Sequence, residues 1–297
     1  MKTRIFSAAV MILLIGGFLV LGFTVSTYFI TAFLILLSVI ATYELLHNAA
    51  GITSRLANTG AMIAAGFITL LSDRCFCRYI IDCSEKDCIK SERVAFVTRK
   101  FGENGRIFVC IVFFLFAAFV ILYKHKDFPL SKIFAFSVMP QVLSLGFSCM
   151  GRLITSEKGL YYLLLLATYA CVCDTGAYFT GVAMGKHKLC PEISPKKTVE
   201  GAIGGIVSSV IVTAIIILVF NKIAPMSTLK IVLTVIFTIP LCIIGMAGDL
   251  FASQIKRSVG LKDYGNLIPG HGGILDRFDS MLLIAPALYV LSGLGMV

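Results

Sequence analysis

Residues 228–279 read TLKIVLTVIFTIPLCIIGMAGDLFASQIKRSVGLKDYGNLIPGHGGILDRFD. Up to Gly248 the run is apolar apart from Lys230. It is long enough to cross a bilayer, which takes roughly 20 such residues. From Asp249 the character reverses: Asp249, Lys256, Arg257, Lys262, Asp263, His271, Asp276, Arg277 and Asp279 follow in one short segment. An ionisable group at the centre of a membrane helix costs about 2.5–3.5 kcal/mol on insertion scales. A dense charged block joined to a spanning run is therefore expected to be a working site, and its mixture of carboxylates and cations suits metal and phosphate.

The whole chain carries the same contrast. Of its 297 residues 58% are hydrophobic and only 14% charged, with a mean hydropathy of +0.94. Soluble domains carry about 25% charged residues, so too little polar surface remains here to coat a large soluble core. Apolar runs near 5–23, 27–46, 57–72, 107–123, 131–150, 159–184, 200–221, 228–248 and 278–296 predict about nine transmembrane helices. No low-complexity linker divides them. The expected fold is an all-α polytopic integral membrane protein, a single helical domain over 1–297. In it residues 1–150 supply N-terminal spans with a polar loop at 73–106, and residues 160–297 supply the catalytic half. The first run follows Lys2 and Arg4 as a signal peptide would, but a second run starts at Tyr28, so an uncleaved first span is expected.

The net charge is +10. Nucleic acid is not the expected partner, because the interleaved basic and aromatic residues of a single-strand binder are missing. The cations lie in short loops beside apolar runs, where they orient helices and attract anionic headgroups. Counting spans puts the loops 185–199 and 249–277 on one side, with Lys2, Arg4, Arg55, Lys124, Lys126 and Lys132. That side is expected to be the cytoplasm. The loop 73–106 then falls outside despite eight Lys or Arg, and its Cys75, Cys77, Cys83 and Cys88 are expected to form at least one disulfide there. Their spacing is not that of a zinc site.

Asp249, Ser253, Lys256 and Arg257 fall at i, i+4, i+7 and i+8, one face of a helix. Asp276 and Asp279 are three apart at the start of the last run, where like charges repel unless a cation sits between them. Solvated helix ends would explain either pair alone. Together they suit Mg2+, which takes one or two carboxylates plus substrate phosphates. Gly272 and Gly273, after His271, would let backbone N–H groups approach an anion at the start of the next helix. Ser194 and Pro195 suit a helix start, with Lys196, Lys197 and Thr198 beside it. Asp174 stands inside an apolar run, a functional candidate by its depth. Glu44 and His47 read as interfacial residues outside the site.

The block resembles the CDP-diacylglycerol synthase family, also called phosphatidate cytidylyltransferase. Ser253, Ile255, Lys256, Arg257, Lys262, Asp263, His271, Gly272, Gly273, Ile274, Asp276, Arg277, Phe278 and Asp279 match its pattern at fixed spacing. Asp174-Thr-Gly176, Gly185-Lys-His187 and Ser194-Pro-x-Lys197-Thr198 are similar upstream. The likeness covers roughly 160–290, and the cysteine-rich loop has no counterpart in it. It implies an enzyme of the cytoplasmic membrane, its site facing the cytoplasm, that makes CDP-diacylglycerol and pyrophosphate from CTP and phosphatidate. It also implies Mg2+, with a second cation, and a homodimer. On this reading Asp249, Asp276 and Asp279 hold the metal, while Lys197, Lys256, Arg257 and Arg277 meet phosphate oxygens. Asp174, Ser194, Thr198, Ser253, Lys262, Asp263, His271, Gly272 and Gly273 line the substrates. Two rivals stand beside it. One is a membrane transferase acting on a prenyl or ether lipid phosphate. The other is an ion or phosphate transporter, which would show an inverted repeat and a site near the midplane.

Overall fold

The computed structural model describes residues 13, 15–71, 91–124 and 128–297, the side chains of 91–103 excepted. The stretch with Cys75, Cys77, Cys83 and Cys88, and the beginning of the first expected span, lie outside the described residues. Among them the helices are α1 (Ile15–Thr24), α2 (Tyr28–Tyr43, prolonged by a π segment Glu44–Ala49), α3 (Arg55–Leu70), α4 (Ser91–Tyr123) and α5 (Leu130–Ile154). Then come α6 (Gly159–Met184, with a π segment Thr168–Val172), α7 (Val199–Ile223), α8 (Thr228–Ser258) and α9 (Leu275–Gly293). Among the described residues each expected span overlaps a helix, the first only from Ile15 onward. Six, namely α2, α4, α5, α6, α7 and α8, are long and apolar enough to cross a membrane.

Two boundaries moved. Helix α4 begins at Ser91, so the second half of the expected loop 73–106 is helical, although only Asn104–Tyr123 is apolar enough to span. Helix α8 runs through to Ser258, ten residues beyond the apolar run, and carries the first charges of the polar block on a continuous helix. Among the described residues the strands form one hairpin, β1 (Lys188–Cys190) antiparallel to β2 (Ser194–Thr198), with Lys188 opposite Thr198 and Cys190 opposite Ser194.

The described residues form two compact units: the part up to Thr155 with Asp263–Asp276, and Ser156–Lys262 with Arg277–Val297. In the first, α3 buries Ala57, Ala61, Ala64, Ala65 and Ile68, the positions of one helix face. Small side chains let helices approach in a membrane, where packing and interhelical hydrogen bonds replace the hydrophobic effect. Phe113 and Phe136 meet edge-on at 5.7 Å between ring centres. Thr69 Oγ1 donates to Ser38 Oγ at 3.1 Å, and Ser144 Oγ to the Ala65 carbonyl at 3.3 Å, tying α2, α3 and α5.

In the second unit α7 shows the same logic at four-residue spacing. Gly201, Gly205, Ser209, Thr213 and Ile217 are buried. A Cβ on Gly205 would stand 2.5 Å from the Cys173 carbonyl oxygen, so glycine is what lets α6 and α7 touch. On its other side Ile203, Val207, Ile211, Ile215 and Leu218 are each more than half exposed. Such a continuous apolar face marks a membrane or protein contact rather than a water-facing surface, and the six long apolar helices make it a membrane one. This is a multi-pass membrane protein.

Candidate active site

In the second unit the charged residues come from four elements. After its π segment α6 resumes at Cys173, which places Asp174 in the first turn of the resumed helix. The hairpin presents Lys197, whose ammonium bonds Asp249 Oδ2 on α8. The expected helix start at Ser194–Pro195 is instead the beginning of β2. The helix starts at Val199, and its cap is Thr198, whose Oγ1 accepts from Gly201 N at 3.1 Å. Pro195 suits either role, since its fixed φ also fits an edge strand. The hairpin is anchored by Glu200, whose carboxylate accepts from Lys186 N at 3.1 Å and from His187 N at 3.2 Å. A cavity of about 250 Å³ opens here, lined among others by Asp174, Tyr178, Ser194, Lys196, Lys197 and Asp249.

Helix α9 brings Asp279 to the same unit. Gly248, the neighbour of Asp249, permits this: a Cβ there would lie 3.1 Å from the Asp279 carbonyl oxygen. Asp279 is within electrostatic reach of Asp249, Lys256 and Asp174, and Asp174 of Lys197 and Asp249. Three carboxylates and two ammonium groups thus act on one another. Of the expected face of α8, Lys256 is buried at 8% exposure, and Ser253 is half-buried. Arg257 is exposed and donates to the Leu261 carbonyl at 3.2 Å. The i+7 and i+8 positions diverge because 100° of turn separates neighbours on a helix.

In the first unit the polar loop 263–276 is built around a tight turn. His271 N donates to the Ile268 carbonyl at 2.9 Å. Pro269 then takes the second place and Gly270, at φ +79°, the third, the pattern of a type II turn. Gly272 follows at φ +85°, and Ile268 N closes on its carbonyl at 3.0 Å. Asp276 Oδ2 accepts from Tyr264 N at 2.7 Å and Gly273 N at 3.0 Å, pinning the two ends of the loop together. Lys262, Asp263 and Arg277 are exposed, and His271 is half-buried.

The glycine-rich turn was expected to offer N–H groups at the start of α9 to a phosphate. Three of those groups are already bonded. Gly273 N meets Asp276, and Ile274 N and Leu275 N meet the two oxygens of Glu44 at 3.0 and 2.9 Å. The anion at this helix start is one of the chain's own carboxylates. Glu44, left aside on the sequence alone, is 3% exposed and touches the polar block directly. The signal that could have found it is an acid within an apolar run: Glu44 falls near the end of 27–46, whereas Asp174 was marked by standing deep in 159–184.

The geometry can be set beside known proteins. The cytidylyltransferase family model matches residues 2–294. The chain belongs to the cytidylyltransferase family. Relatives include the phosphatidate cytidylyltransferase of Staphylococcus haemolyticus (strain JCSC1435), 40% identical over 178 residues, 60% of this chain and 65% of that protein. That of Bacillus subtilis (strain 168) is 48% identical over 142 residues, 46% of this chain and 49% of that protein. The matched stretch is therefore less than two thirds of these relatives' own length.

Proposed function

We propose that this chain transfers a cytidylyl group from CTP to phosphatidate, giving CDP-diacylglycerol and pyrophosphate. The observation that carries the reading is the bonding of Lys197 to Asp249 in the lining of the cavity that Asp174 also borders, with Asp279 within electrostatic reach of Asp249, Asp174 and Lys256. The phosphatidate oxygen is already ionised. It forms a bond to the α-phosphorus of CTP as the bond to the pyrophosphate oxygen breaks, so no strong general base is needed. Catalysis then consists of alignment and charge neutralisation. Lys197 and Lys256 hold phosphate oxygens, with Arg257 and Arg277 at the exposed edge. Ser194 and Thr198 border the cavity, and Asp174 keeps Lys197 oriented.

Among the described residues no three of His, Cys, Asp and Glu gather closely enough to enclose a metal unaided. The hard oxygens of Asp249 and Asp279 nevertheless suit Mg2+, which keeps several waters and completes its shell with substrate phosphates. These two would hold it, with a second cation nearby, and Asp276 serves the loop. When bound, Mg2+ supplies neutralisation of the charge developing on the triphosphate. The setting we propose is a homodimer in the cytoplasmic membrane with the site at the cytoplasmic face. Span parity and the placement of Arg55, Lys124 and Lys132 support that orientation.

The test is an assay of detergent-solubilised protein with labelled CTP against diacyl, ether and prenyl phosphates, with and without Mg2+. CDP-diacylglycerol formed only with Mg2+ is the expected result. Preference for a prenyl or ether phosphate would reassign the lipid. Absence of any CTP-dependent lipid product would overturn the reading.

A further inference from the structure

Glu44 and Asn48 stand on the π segment that ends α2. π turns are rare and concentrate at functional positions. From this one turn two side chains reach the loop 263–276 at its two ends. Asn48 Nδ2 donates to the Tyr264 carbonyl at 2.7 Å. Glu44 Oε1 accepts from Ile274 N at 3.0 Å, and Oε2 from Leu275 N at 2.9 Å. The carboxylate is walled by two glycines. A Cβ on Gly265 would stand 2.5 Å from Oε1, and one on Gly273 would collide with both oxygens. Burying a carboxylate is costly unless its charge is matched. Here it meets the first N–H groups of α9, the positive end of that helix. Packing alone would be served by a neutral side chain of the same size.

We infer that Glu44, with Asn48, is a clamp that positions the start of α9. Its charge supplies the anion this helix terminus requires, so substrate phosphate is held elsewhere. The helix is stiff, and an error at its first turn passes to Asp276, Arg277 and Asp279 within a few residues. Glu44 is therefore a positioning residue for the site, not a catalytic one. The kinetic part of this inference rests on the cytidylyl-transfer reading; the structural part does not.

The test uses the full chain in detergent and begins with Glu44→Gln. The amide keeps the volume, loses the charge and sets an NH2 against a backbone N–H. Backbone exchange at Ile274 and Leu275 is expected to quicken by roughly tenfold or more, since both lose hydrogen bonds to a charged group. With CTP and phosphatidate, kcat is expected to fall on the order of 100-fold, the scale of a 1 Å misplacement. KM for CTP should move less than about threefold, since binding groups are untouched. In Glu44→Ala, tens of millimolar formate should restore turnover where equal chloride does not, because the small carboxylate refills the space between the glycines. Glu157→Gln, an exposed acid in the second unit, should change none of these.

Unchanged exchange at 274 and 275 in Glu44→Gln would overturn the clamp. Wild-type kcat in that variant would overturn its positioning role, and loss in Glu44→Ala that formate leaves untouched would assign the effect to folding and do the same. If the unaltered protein makes no CDP-lipid, the cytidylyl-transfer reading fails, and exchange still decides the clamp. If Glu44→Ala does not accumulate, Glu44→Gln and Asn48→Ala carry the test.

Discussion

The loop 263–276 and the cluster around Asp249 hold the same kinds of residue and use them differently. In the loop the carboxylates of Asp276 and Glu44 are bonded to backbone N–H groups, so their charge fixes the course of the chain. Around Asp249 the carboxylates interact with ammonium groups and with one another, and Asp174, Lys197 and Asp249 line a cavity. Backbone bonds hold a carboxylate to one task. Opposed side chains can exchange partners when a phosphate or a cation arrives. On the proposed reading the first group builds the site and the second works in it, a distinction their spacing in the sequence does not make.

The strongest way to break it is Asp249→Asn, with Asp279→Asn beside it. Each keeps the shape and removes a charge from the working cluster. Cytidylyl transfer should fall by about three orders of magnitude, roughly 4 kcal/mol in barrier, while the protein stays in the membrane. Transfer above a tenth of the unaltered rate in both would move the site elsewhere.

Next comes Gly273→Ala, which drives a methyl group into Glu44. A drop in turnover on the order of 100-fold is expected, with quickened exchange at 274 and 275, as misplacement on the scale of 1 Å produces. Normal turnover would show that the loop tolerates a shifted Glu44.

A more moderate effect should follow Asp276→Asn. The amide oxygen can still accept, but the charge-assisted bonds to Tyr264 N and Gly273 N weaken, at about 1–3 kcal/mol. The thermal midpoint of the solubilised protein should fall, and turnover with it. A loss of turnover that high Mg2+ fully repairs, with an unchanged midpoint, would put Asp276 among the working groups instead.

The smallest change is reserved for Arg257→Ala. Its guanidinium is exposed and bonds the Leu261 carbonyl just beyond its own helix, so KM for CTP should rise less than about fivefold, a loss within 1 kcal/mol. The same substitution at the buried Lys256 should cost distinctly more. Equal losses at the two positions would remove the division seen on α8.

The charged cluster was legible in the sequence in part, because some of its signals are local: Asp249 and Lys256 lie at helical spacing beside an apolar run. Asp279, which interacts with both, was joined to them by the family resemblance and not by spacing. Glu44 was not legible, because its partners Ile274 and Leu275 lie some 230 residues away and are backbone groups, which have no letter of their own. The hairpin at 188–198 was missed for a different reason. Ser-Pro-Lys-Lys-Thr carries good helix-start residues, and only the pairing of Lys188 with Thr198 across the turn makes it a strand. The apolar runs gave the helices themselves, but not the extension of α4 back to Ser91, where helix continues through charge.

The length of α8 has one more consequence. Asp249 comes 21 residues after Thr228, about 32 Å along a helix rising 1.5 Å per residue, close to the roughly 30 Å thickness of bilayer hydrocarbon. The helix is a ruler: with its first residues at one headgroup layer, its first acid stands at the level of the other. On the proposed reading, a lipid phosphate would reach the Lys197 ammonium beside that acid without its tails leaving the bilayer. Turnover should then depend on how thick the surrounding membrane is.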